Sequence, residues 1–306
     1  MPAPLRLRLY ENYRFVLYAP FYAAHAWGAY EAEGLAVELL ASPGPGHAEA
    51  ALAAGAVDVL WMGPIRVMKH HDDDPQSPLV EFAEIVCRDP FSLVGRYPNP
   101  GFRLAELAGL RFASVSEVPT PWLCLEQDLR EAGVDPARLD RRLDRSMAEN
   151  VAALADGSLD VAQLFEPFVE AAVAGGAHVW LPASARGPTS YTVFVTHRAR
   201  LAADPEPFRR MVRAICRTLR RVAAEPPERL AAAIAPYFPA LGQDALSRAL
   251  ARYRAQGVWG SDPILSPAGF DRLGSALVGS GFLKRAVTFA ECVDNRLAAE
   301  AVAADV

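Results

Sequence analysis

The chain has 306 residues, of which 52% are hydrophobic and 22% charged, and its net charge is −5. That length is generous for one hydrophobic core and comfortable for two lobes of about 150 residues each. The acidic balance and the absence of a basic block exclude nucleic acid as the main partner, and no apolar run reaches the roughly 20 residues of a membrane span.

In chain order, MPAPLRLRLYENYRF alternates apolar and polar residues over Leu5–Tyr10, which predicts a strand almost at once. No apolar signal core and no lipid-accepting cysteine precede it, so the expected location is cytoplasmic, or periplasmic if a signal has been removed. APFYAAHAWGAYEAEG reads as a helix, with Pro20 in its first turn and Gly34 as its stop. LAVELLA is a second strand, SPGPGHAEAALAAG a turn feeding a short helix, VDVLWM a third strand, and Pro64 starts a helix. LVEFAEIVC and FSLVGRY are strands on either side of Arg88-Asp89-Pro90. LRFASVS, LDVAQLF and AHVWLP continue as strands, separated by helices at TPWLCLEQDLREAG, MAENVAALADG and PFVEAAVAGG. Beyond TSYTVFVTH the pattern is helical: Glu206–Ala224, Pro227–Pro236, Asp244–Gln256, Pro267–Ser280 and Val287–Ala303. Such alternation predicts an α/β fold with parallel sheets covered by helices on both faces.

One unit occurs twice. AALAAGAVDVLWMGP (Ala50–Pro64) returns as AALADGSLDVAQLFEP (Ala152–Pro167), with six of nine positions identical between Ala51–Val59 and Ala153–Val161. Each copy is helix, glycine, buried strand, proline. Gly55 and Gly157 suit the left-handed conformation that ends a helix, and each strand's carboxyl end runs toward a helix N-terminus. Ligands of open α/β sheets bind outside strand carboxyl ends, so two such units predict two similar lobes facing one cleft. Trp61-Met62-Gly63-Pro64 and Phe165-Glu166-Pro167 would look into it. A common helix-to-strand connector without symmetry would give the same string.

The chemistry-bearing candidates are few. The helix starting at Pro64 offers free N–H groups to an anion, with Arg66 either joining that contact or merely exposed. Tyr10, Tyr13, Trp61, Phe91, Phe165 and Tyr191 lie near strand ends, where rings stack on ligands or fill the core. The loop SPGPG (Ser42–Gly46) could line the cleft. KHHDDDP (Lys69–Pro75) reads as a solvated loop rather than a metal site, because adjacent side chains diverge. Cys87, Cys124, Cys216 and Cys292 have no metal or disulfide spacing and read as small buried thiols. The arginines between Arg209 and Arg221 have helical spacing and acidic neighbours, hence a solvated helix face.

Together, YAPFYAAHAWGAYEAEGLAVEL, AALAAGAVDV, EIVCRDPFSLVGR and LAGLRFASVSEVPTPWLCLEQDLREAGV resemble the type II solute-binding proteins. The resemblance is to the branch with nitrate-, sulfonate- and thiamine-pyrimidine-binding proteins of ABC transporters and the fungal thiamine-pyrimidine synthase. It runs from about Leu5 to Arg200 and more weakly through YRAQGVWGSDP and GFDRLGSALVGSGFL. It implies two doubly wound lobes that close on a small molecule, with crossings near Arg88–Phe91 and Ser184–Ser190. The first lobe would comprise 1–88 with 190–306, taking the C-terminal helices, and the second 89–189. The synthase's cofactor-bearing lysine and its consumed histidine match Met62 and Arg66 here, and a methionine forms no Schiff base. Its cysteine-rich iron-binding run matches GPTSYTVF, which has no cysteine, so no cofactor is expected.

The leading expectation is therefore a small-molecule binding protein whose ligand is anionic or aromatic, partnered by an ABC permease if exported. The residues expected at the ligand are Tyr10, Asn12, Tyr13, Trp61, Arg66, Ser114, Ser116, Glu166 and Tyr191. The alternative is a cytoplasmic enzyme on the same scaffold, a decarboxylase or dehydratase, whose general acid or base would be Glu166, Asp89, Glu11 or Glu117. An intracellular sensor or a binding module without a transport partner is a third possibility. His25 reads as structural.

Overall fold

The structure is a computed structural model that describes residues 3–11, 13–42 and 46–304. Asn12 and most of the SPGPG loop lie outside the described residues. Among the described residues, ten strands form two sheets. The strands are β1 (Leu5–Glu11), β2 (Leu35–Ala41), β3 (Val59–Met62), β4 (Leu79–Val86), β5 (Ser92–Gly95), β6 (Phe112–Ala113), β7 (Arg141–Arg142), β8 (Val161–Leu164), β9 (His178–Pro182) and β10 (Thr192–His197).

The first sheet has the order β2-β1-β3-β10-β4 and the second β7-β6-β8-β5-β9. The expected parallel sheets are in fact mixed, for a topological reason. β10 pairs antiparallel with both β3 and β4, and β5 pairs antiparallel with both β8 and β9. Each of these strands arrives from the other sheet and must run against its new neighbours. The sheets are thus two copies of one pattern, with a visiting strand fourth in each.

The repeated unit occupies matching places. β3 and β8 are each third in order, and Gly55 (φ +67°) and Gly157 (φ +81°) take the left-handed turn before them. The repeat's aspartates also do one job. Asp58 accepts the backbone N–H (2.7 Å) and the guanidinium (3.2 Å) of Arg8 on the adjacent strand. Asp160 accepts the same pair of groups from Arg111, both at 2.9 Å. A carboxylate holding a neighbouring strand by main chain and side chain together pins the register in each lobe.

Two crossing segments connect the lobes and pair with each other. Thr189 N–H donates to Cys87 O, Tyr191 N–H to Val86 O, and Ala183 N–H to Phe91 O, each at 2.9 Å. The Ser190 hydroxyl adds a 2.5 Å bond to the buried Glu84 carboxylate. Arg186 lies between them, 2.5 Å from Asp89 and bonded to Asp128.

Helices pack where the sequence put them, with local corrections. The first predicted helix is two, Ala19–Ala26 and Ala29–Ala32, broken at Gly28 with φ +67°. The last is also two, Phe289–Cys292 and Arg296–Ala304, because Val293 bridges to Glu81 beside β4 between them. KHHDDD is not a loop: residues 69–73 form the last turns of helix Pro64–Asp73 and Asp74 follows as its cap, and Asp72 accepts N–H bonds from Lys284 and Arg285. The arginine face of helix Glu206–Ala224 pairs with Glu33, Glu206 and Glu300, and Arg221 lies 4.1 Å over the Trp27 ring. No helix among the described residues is long and apolar enough to cross a membrane.

Candidate functional site

At the carboxyl end of β3 the chain turns at Gly63 into helix Pro64–Asp73, and at the carboxyl end of β8 it passes Phe165 toward helix Phe168–Ala174. These two ends share one cavity of about 300 Å³, at the small end of the range for small-molecule pockets. Met62, Gly63, Ile65 and Arg66 line it from the first sheet, Phe165, Glu117 and Met147 from the second. Phe91 and Tyr191 enter from the two crossings, and Tyr13, Phe15, Leu17 and Tyr18 from the segment after β1.

The wall is aromatic and already spans both lobes. Phe15 meets Phe165 edge-on at 4.8 Å, and Phe91 stacks on Phe165 at 4.9 Å. Tyr13 stacks on Phe15 at 5.3 Å. A flat guest ring can exchange contacts with such pairs at little reorganisation cost. Burial pushes the Tyr18 and Tyr191 phenols up, so both are neutral hydroxyls at any physiological pH. Charged side chains are sparse in this wall. The Arg66 Nε donates to Glu49 at 2.7 Å, and the Glu117 carboxylate accepts the Met147 N–H at 2.8 Å, closing the start of helix Met147–Asp156.

Of the residues expected at the ligand, Tyr13, Arg66 and Tyr191 line the cavity. Trp61 does not. It is fully buried on the opposite side of the strand from Met62, among Phe21, Tyr18 and Tyr22 at 4.3–5.6 Å. Glu166 is turned away from the cavity and bonded to Arg252 of helix Gln243–Ala255. Burial raises the Glu166 carboxyl above its ordinary range, and Arg252 opposes that rise. Tyr10 packs against the cluster around Leu60 and Val193. Ser114 is buried and accepts the Arg141 Nε at 2.7 Å. Ser116 bonds its neighbour Glu117 and the Arg145 carbonyl, so it supports the wall without lining it.

The acid–base candidates divide similarly. Glu11 pairs with Arg14 and accepts the Tyr22 hydroxyl at 2.8 Å. Asp89 is engaged by Arg186 and by the Phe91 N–H at 2.9 Å. Only Glu117 of the four lines the cavity. His25 is half-buried against Tyr30 at 4.9 Å, and burial lowers its pKa.

Several wall residues escaped the sequence reading. Phe15 carried a signal, since Tyr13 and Phe15 are two apart in extended chain (φ −128°, ψ 151°) and so share a face. Met147 and Phe282 reach the cavity through tertiary packing and carried none.

Residues 17–229 match the family described as NMT1/THI5 like. The chain belongs to the NMT1/THI5-like family. It is 23% identical over 296 residues to a Bacillus subtilis (strain 168) protein named Putative binding protein YtlA, covering 96% of this chain and 89% of that one. The periplasmic aliphatic sulphonate binding protein SsuA from Escherichia coli shares the fold with a TM-score of 0.74 at 16% identity, over 94% of this chain and 97% of SsuA. The desulfurization enzyme DSZB shares it too, with a TM-score of 0.68 at 14% identity over 99% and 100% of the two chains. One fold therefore carries both binding and catalysis, and the site must decide between them. A pyridoxal phosphate, which the resemblance to the synthase raises, does not fit this site: Met62 lines the cavity with a thioether, where an amine would be needed to hold the cofactor.

Proposed function

We propose that this member of the family binds a small organic molecule by closing two lobes over it, as the solute-binding partner of an ABC permease. The observation that carries the reading is the single cavity walled by the carboxyl ends of β3 and β8 together with both crossings. The moving bodies in this proposal are residues 1–88 with 190–306, and residues 89–189. Closure would trade water for aromatic contact on both faces of the guest, which is where the affinity of such clefts originates.

The enzyme reading needs a proton-transfer group free to face the ligand. Glu11, Asp89 and Glu166 are committed to cations, and Glu117 to a helix start. That arrangement favours binding.

Native mass spectrometry of the purified chain tests the proposal. The expected result is a bound small molecule released on denaturation, whose return in large excess over its Kd raises stability by about 3 kcal/mol. Absence of any bound mass, with no thermal response to candidate ligands, overturns it.

A further inference from the structure

We infer that Glu49 sets the charge of the ligand: by holding Arg66 it suits the aromatic cleft to a flat, uncharged ring compound and closes it to anions. The inference rests on the binding reading above and narrows it.

Seven rings wall the cavity, those of the lining aromatics named above and that of Phe282, so shape and polarisability favour a planar guest. Charge decides the rest. Among the described residues that line the cavity, the charged side chains are Glu49, Arg66 and Glu117. Arg66 is the cation that would bind a carboxylate or sulfonate. Its Nε and Nη2 both point at Glu49 Oε1, at 2.7 and 2.5 Å, so the side-on fork that grips an oxyanion is occupied. The Glu49 side chain is only 10% exposed while Arg66 is 44% exposed. The carboxylate is thus the inner, fixed member of the pair, and an entering anion would have to displace it.

The remaining charges leave no full cation in the wall. Glu117 supplies the anion for the start of helix Met147–Asp156. The starts of helices Pro64–Asp73 and Thr120–Glu131 border the cavity through Gly63 and Pro119, each contributing about half a positive charge. With the start of helix Met147–Asp156, which also reaches the cavity, that is about one and a half positive charges, against the net single negative charge of the three side chains. An anion would therefore shed its hydration among aromatic rings without gaining a free cation, and a neutral ring compound would shed far less.

The test uses benzamide and benzoate, which share ring and outline and differ in charge, titrated calorimetrically into the full chain at neutral pH. The wild type should prefer benzamide by roughly tenfold or more. Glu49→Gln frees the Arg66 fork and should move the preference toward benzoate by roughly fivefold or more, and adding Arg66→Gln should cancel that move. A preference that Glu49→Gln leaves unchanged, the outcome of a merely structural role, overturns the inference. So does a wild type that prefers benzoate, although the binding reading then stands. Binding of neither compound at millimolar concentration, with no small molecule released from the purified chain, removes the binding reading itself and this inference with it.

Discussion

Phe165 and Glu166 are adjacent in sequence and join the two lobes in opposite ways. Phe165 faces the cavity and touches Phe15 and Phe91 through ring contacts alone. Glu166 faces the C-terminal helix Gln243–Ala255, where Arg252 bonds both Glu166 and Glu170, Arg248 reaches Glu170 at 2.5 Å, and the Tyr253 hydroxyl accepts the Glu166 N–H at 2.9 Å. A ring contact can be exchanged for a ligand's ring with little loss. A buried carboxylate cannot exchange its arginine for water without a large penalty. The first contact is therefore suited to opening and the second to holding, one residue apart.

The strongest way to break that distinction is Arg252→Met. It leaves Glu166, 1% exposed, without its cation, and should cost about 3–5 kcal/mol in denaturant unfolding at neutral pH. A variant as stable as the wild type would mean that the clamp holds nothing. Next comes a pair of core and cleft substitutions. Phe165→Ala should lose about 3 kcal/mol together with most of the ligand-induced rise in Tm. Trp61→Phe should lose about 1 kcal/mol and keep that rise, because Trp61 is packed away from the cavity. Equal ligand responses from the two would erase the boundary drawn between wall and core.

A pH effect separates carboxylates with a cation from those without. Among the described residues, Glu84 has the Ser190 hydroxyl and backbone for partners and no cation, and burial lifts its pKa from 4.5 to about 7. Its folded value exceeds its unfolded one, so its contribution is complete below about pH 4.5 and is lost as pH rises toward 7. Denaturant melts should show on the order of 2 kcal/mol lost through this group across that window, a part of the slope that Glu84→Gln removes. A slope unchanged in the variant would assign the titration elsewhere.

The two-lobed plan was legible because it is written in local signals. The repeated string, its left-handed glycines and the alternation of strand and helix needed no long-range information. The facing of a side chain at a strand end was another matter. β3 and β8 are buried at every position, so they lack the polar alternation that tells one face from the other. The sequence reading therefore named Trp61 and Glu166 where the cavity takes Met62 and Phe165, a displacement of one residue each time. The clamp was hidden for a different reason. Arg248 and Arg252 sit in a stretch that reads simply as a helix, Asp244–Gln256, and nothing near them in sequence signals the glutamates about eighty residues earlier.

The placement of β10 has a consequence for how the chain is made. β10 separates β3 from β4, so the first sheet remains split, with two bare edges, until residues 192–197 have left the ribosome. By then β5 to β9 have all emerged and can complete a sheet of their own. The half that is translated second is thus the first able to finish, and the earlier strands stand exposed to chaperones or to wrong pairing until it has.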